Sequence, residues 1–110
     1  MDRPFSVNIR RIKCYSTCDV FGSDKIYGLL GEYRFPIGEF TAGNDYNLDI
    51  NQTVPLNEFY LRFFEQNAVM ADREIGMIDL SAILGFQTLK NVQGNGGNYD
   101  VTLFVTPTTE

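Results

Sequence analysis

Apolar residues recur at every second position through most of the 110-residue chain, the period of a strand with one buried face rather than of a helix. In "FSVNIRRIKCYS", Val7 and Ile9 alternate, then Ile12 and Cys14. The phase slips at Arg10–Arg11, and a bulge there returns both pairs to one face. "KIYGLLGEYRF" places Tyr27, Leu29, Tyr33 and Phe35 on one parity, with Pro36 ending the strand and "PIGEFTAGND" forming a hairpin or longer loop. "YNLDI" alternates through Tyr46, Leu48 and Ile50, "FYLRFF" through Phe59, Leu61 and Phe63, and "IGMIDL" is a short strand. "DLSAILG" holds one helical turn, with Ser81 as cap and Gly85 as stop. "QGNGGN" is a turn, and "NYDVTLFVTP" alternates through Tyr99, Val101, Leu103 and Val105 before Pro107 closes it. Short strands joined by Gly, Asn, Asp and Pro turns predict an all-β fold in one domain, residues 1–110: an antiparallel β-sandwich of about seven or eight strands, with a small barrel as the alternative.

Composition narrows the function. Aromatics make up 14% and hydrophobic residues 44%, a globular balance. The formal net charge of −5 argues against nucleic acid, where basic stripes supply most of the affinity. The chain has no apolar run of membrane-spanning length and no signal-like apolar stretch at its start. There is no histidine, which removes the usual general base and any Ser–His or Cys–His pair. A non-enzymatic role is therefore expected. The two cysteines, Cys14 and Cys18, lie four apart. On a strand that spacing is about 13 Å, so a bridge requires the chain to fold back between them.

Two acidic loops carry the candidate chemistry. "TCDVFGSDKIYG" sets Asp19 and Asp24 around small residues, and "EQNAVMADREIG" offers Glu65, Asn67, Asp72 and Glu74 after a strand. Asp and Asn are common turn formers. They are also the oxygen donors that a hard cation such as Ca²⁺ takes six to eight at a time.

The order of these segments resembles the C2 domains, the calcium-dependent lipid-binding β-sandwich family. Its first loop typically reads D-x-x-G-x-S-D-P-Y. "DVFGSDKIY" keeps Asp19, Gly22, Ser23, Asp24 and Tyr27, is one residue short after the glycine, and has Lys25-Ile26 where a proline would stand. The family's later loop reads D-x-D, a variable stretch, then D-x-x-G and a strand ending in an acidic-Leu pair. "FFEQNAVMADREIGMIDL" keeps Gly76 and Asp79-Leu80, with Glu65 and Asn67 at the paired aspartates and Arg73 at the third. The resemblance runs from about Ile9 to Leu80 and implies a binding module whose loop tip docks onto a membrane or a protein partner. Its metal set would be Asp19, Asp24, Glu65, Asn67 and Asp72. The substitutions imply a weak Ca²⁺ site or none, because affinity tracks ligand charge.

Phe21, Val69 and Met70 fall at loop tips, where an apolar side chain meets a membrane or partner or folds back over the core. Arg10, Arg11 and Lys13 cluster on the first strand; in the resembling family a basic strand face can hold phosphoinositide headgroups, but three cations fall short of the four to eight of a lipid-binding cluster, and the alternative is a solvated face. Tyr60 is opposite in parity to its neighbours, while most other tyrosines sit on core parity. Two further readings stay open: a subunit of a homo-oligomeric particle or filament whose strand edges pair with neighbours, and a carbohydrate-binding sandwich.

Overall fold

A computed structural model describes residues 5–19, 22–54, 59–67 and 69–107. Eight strands run in order: β1 (Phe5–Ser16), β2 (Asp24–Leu30), β3 (Tyr33–Phe40), β4 (Asp45–Val54), β5 (Tyr60–Glu65), β6 (Arg73–Asp79), β7 (Gln87–Gly94) and β8 (Gly97–Pro107). They form two four-stranded antiparallel sheets, β4-β1-β8-β7 and β3-β2-β5-β6. Their inward faces make one core, including Val7, Ile9, Ile12, Leu30, Phe35, Leu61, Phe63, Val101, Leu103 and Val105. The expected sandwich is present.

The β1 bulge falls where the apolar phase slips, between Ile9 and Arg11, and Val7, Ile9, Ile12 and Cys14 are all buried. A one-turn 3-10 helix covers Leu80–Ile83; its cap is Asp79, whose carboxylate accepts from the Ser81 N–H, rather than Ser81 itself. Gly85 follows with φ 83°, the left-handed backbone that stops such a turn. Asn95 (φ 54°) and Gly96 (φ 90°) form the two-residue hairpin between β7 and β8. Positive φ at both central positions suits the right-handed strand twist.

Several readings of the periodicity are corrected. The core row of β2 is Ile26 and Leu30, not Tyr27 and Leu29, and Tyr33 is exposed. Gly28 explains the inversion: a Cβ there would lie 2.4 Å from the ring of Phe35, so the ring fills the space on the inner face that Gly28 leaves. β3 continues through Pro36 to Phe40. It is an edge strand, where a missing N–H costs no ladder bond. β7 escaped the pattern because Val92 is its one buried apolar residue. Tyr99 is the one tyrosine buried on the inner face; Tyr46 lies on that face but is exposed at the edge strand, Tyr15, Tyr33 and Tyr60 are exposed, and Tyr27 is buried on the outer face.

The sheets seal against each other along β6 and β7. A Cβ on Gly94 would come 2.4 Å from the Ile75 carbonyl, and the Asn95 amide donates to the Glu74 carbonyl at 2.6 Å. This closure, with the β1–β2 and β5–β6 loops at the same end, positions the site.

Candidate functional site

On β2, β5, β6 and β8 the inward row ends, at the loop end, in a polar residue. On β2 the row Leu30, Gly28, Ile26 continues to Asp24; on β5, Leu61 and Phe63 are followed by Glu65. Tyr99 heads the inward row of β8, and Arg73 begins β6 as the register partner of Glu65. Alternation therefore drives two carboxylates into the end of the core. Asp24 is fully buried and Glu65 is 2% exposed.

Each carboxylate has partners. Asp24 accepts from the Tyr99 hydroxyl at 2.6 Å, the Cys18 N–H at 2.8 Å and the Asp19 N–H at 3.4 Å. Glu65 accepts from Arg73 Nε at 2.9 Å, and Arg73 Nη2 donates to Asp19 at 2.9 Å. The guanidinium thus bridges the two acidic loops. Burial pushes the Glu65 carboxyl up, and Arg73 opposes that shift. The Arg73 guanidinium is held protonated more firmly than usual by its bonds to Glu65 and then Asp19. Burial also raises the Tyr99 hydroxyl, with its bond to Asp24 adding to the shift.

Asp72 and Asn67 form a separate cluster on the rim. Asp72 accepts from the Tyr27 hydroxyl at 2.5 Å and the Asn67 N–H at 3.0 Å. The first of these bonds is the main cause of its lowered pKa. The Asn67 side-chain oxygen accepts from the N–H groups of both Val69 and Met70 at 2.9 Å. That pins the tip of the β5–β6 loop, where Val69 is 92% and Met70 72% exposed. Asp19, Glu65, Asn67, Val69 and Met70 line one open depression of about 520 Å³.

The predicted set is therefore brought to one end of the molecule but split in two. Phe21 lies outside the described residues. Of the basic face, Arg10 donates to Asn8 and Gln87 and lies over the Phe104 ring, Arg11 pairs with Asp45, and Lys13 lies over Tyr15. Sequence reasoning noted Arg73 but not its bridging role, and it missed Cys18. The donor atoms of Cys18, Asp24 and Glu65 lie within 4.8 Å of one another, all buried. Cys14 and Cys18 are free thiols, and burial pushes the Cys18 thiol up to about 12. Also missed was a layered stack on the outer face of the second sheet. Arg34 lies 3.6 Å over Tyr27, Tyr27 stacks on Phe64 at 5.4 Å, and Arg62 lies 4.8 Å from that ring. Cross-strand register alone joins these residues.

A calcium shell of six to eight oxygens does not fit this arrangement as it stands. Asp19 and Glu65 already hold a cation of the chain itself, Asp24 is directed at three donors, and the near neighbour of Asp24 and Glu65 is a thiol.

No protein-family model matches the sequence, and no curated protein matches it. Solved structures do. A C2 domain of a plant extended synaptotagmin 1 is 15% identical over 98% of this chain and 97% of that one, with a TM-score of 0.56. A human GIVD cytosolic phospholipase A2, in a complex with an inhibitor and terbium chloride, is 14% identical over 98% of this chain and 18% of its own, with a TM-score of 0.55. A second structure of that enzyme gives 12% identity and a TM-score of 0.53. With both sheets, the strand order and the loop end in place, the chain has the fold of a C2 domain.

Proposed function

We propose that this chain is a non-enzymatic docking module that seats its β5–β6 loop tip in the surface of a membrane without requiring Ca²⁺. The observation that carries the reading is the exposed Val69–Met70 pair, held up by Asn67 beside two carboxylates, Asp19 and Glu65, that Arg73 already bridges. In a C2 sandwich, a bound cation offsets acidic loops that an anionic surface would repel. Here the Arg73 guanidinium occupies the position between Asp19 and Glu65. The fold shared with the synaptotagmin domain and the terbium-bound phospholipase supports membrane docking as the class of activity.

The net charge of −5 favours a zwitterionic surface over an anionic one. Burying both apolar tips would contribute about 3 kcal/mol, on the order of 100-fold in partitioning. The test is flotation with phosphatidylcholine vesicles, in a chelator and in millimolar Ca²⁺. The chain should float equally in both, and V69D/M70D should stay behind. A native chain that never floats, or floats only with Ca²⁺, would overturn the proposal.

A further inference from the structure

A β-sandwich of two open sheets has four edge strands, and an unguarded edge is a template for pairing. Three of the four are guarded. β3 carries Pro36, which has no N–H to offer, and a register shift against β2. β6 has its Glu74 carbonyl taken by Asn95 and its Ile75 carbonyl closed over by Gly94. β7 packs against β6 at that same seam and carries Lys90 further along. β4 is different. It is ten residues long, "DYNLDINQTV", with no proline, lysine or arginine. Its inner row is apolar from Tyr46 to Ile50 and incompletely covered: Tyr46 is exposed, and Leu48 and Ile50 are only half-buried against the core.

We infer that β4 is a homodimer interface, pairing antiparallel with β4 of a second copy about a two-fold axis at Leu48. The argument for a second copy rests on self-complementarity. An isologous strand pair sets residue i against residue 96 − i when its axis passes through Leu48. Along the inner row Tyr46 meets Ile50 of the other copy, and Leu48 meets Leu48. Along the outer row Asn47 meets Asp49, and Asp45 meets Asn51. Every carboxylate faces an amide and every apolar residue faces an apolar one. Aromatic–β-branched pairs and carboxylate–amide pairs are favourable across strands, whereas like charges directly opposite are not. An axis through Asp49 would oppose that carboxylate to its own copy, and an axis through Asn47 would oppose Asp45 to Asp49. Axes through Tyr46 or Ile50 oppose no carboxylates but set Leu48 against Asn44 or Gln52, so charge and the apolar row together select the axis at Leu48. Asp45 keeps its ion pair with Arg11 of its own chain, at 2.5 Å, on the outer face. The dimer would join the two β4-β1-β8-β7 sheets into one of eight strands.

Single-cysteine cross-linking on the full chain tests both the interface and its register. Cys14 and Cys18 are buried and do not compete for mild oxidant. L48C places two thiols directly opposite and should give a disulfide-linked dimer. Y46C or I50C alone should not, since each would lie four residues, about 13 Å, from its counterpart. Y46C mixed with I50C should link again. Sedimentation of the native chain should show a concentration-dependent dimer, and N47D, which sets a second carboxylate against Asp49 of the other copy, should weaken it roughly tenfold. A native chain that stays monomeric at about 1 mM, the weak limit of a specific contact, overturns the inference. So does a dimer that cross-links at Tyr46 rather than at Leu48. Neither outcome bears on vesicle binding, which uses the β5–β6 loop tip in the other sheet.

Discussion

Removing Arg73 is the sharpest perturbation the loop end allows. R73L leaves Glu65, 2% exposed, ionised beside Asp24 with no cation, and frees Asp19 on the loop. Breaking a fully buried pair by deleting one partner costs about 3–5 kcal/mol. The Arg73 side chain is 30% exposed, so water recovers part of that; about 2–3 kcal/mol is expected, or roughly 10 °C in Tm for a domain of this size. The loss should depend on pH with a definite sign. Glu65 is already raised above its unfolded value by burial, so its folded form is favoured when protonated. Losing Arg73 raises it further. The deficit of R73L should then be full at neutral pH and shrink as pH falls through the raised folded value toward the ordinary glutamate value of about 4.3. R73K, which holds one carboxylate but not both, should lie between. E65Q/R73L, which removes both charges, should recover much of the loss. The assay is urea unfolding between pH 4 and 8. A loss below about 0.5 kcal/mol, the range of an ordinary surface change, or one independent of pH, would refute the bridging role. In the same assay R73D, which supplies the carboxylate that the resemblance expects, should gain a Ca²⁺-dependent rise in Tm that the native chain lacks.

Other outcomes follow from single contacts. Y99F removes the hydroxyl that meets buried Asp24 and should cost about 1–3 kcal/mol in urea. G94A forces a Cβ to within 2.4 Å of the Ile75 carbonyl and should open the β6–β7 seam; hydrogen exchange should then rise at the Gly94 and Asn95 amides before the centre of β8. Y27F deletes the bond that lowers the Asp72 pKa, a stabilisation present above about pH 4 and lost as pH falls through the lowered folded value. Acid unfolding of Y27F should therefore begin at higher pH than that of the native chain.

The sheet content was legible because burial on one face writes a period of two into each strand. The β1 bulge could be read at Arg10–Arg11 for the same reason: a bulge moves the apolar phase by one residue. The failures share a cause. Gly28 sits on the inner face without a side chain, so the parity of β2 rested on Tyr27 and Leu29, and came out inverted. β7 stands at an edge, with one face half in solvent and its other side closed by backbone contact at Gly94, so few apolar residues were needed to hold it. Alternation records what a residue's own face buries. It does not record a space filled by a neighbour's ring.

The same limit explains the site. Both loops were expected at one tip, with their donors forming a weak Ca²⁺ site or none. Counting donors loop by loop cannot reveal that a β6 side chain reaches two of them. The register can: Arg73 lies opposite Glu65 on the inward row, so any guanidinium at that position must either enter the acidic end or bury an unpaired charge. Correcting the parity of β2 then aims Asp24 at the same end. An arginine where a ligand carboxylate is expected is therefore more than the loss of a donor. Placed inward, it sets a cation of the chain itself between Asp19 and Glu65, and ties the order of the two loops to folding.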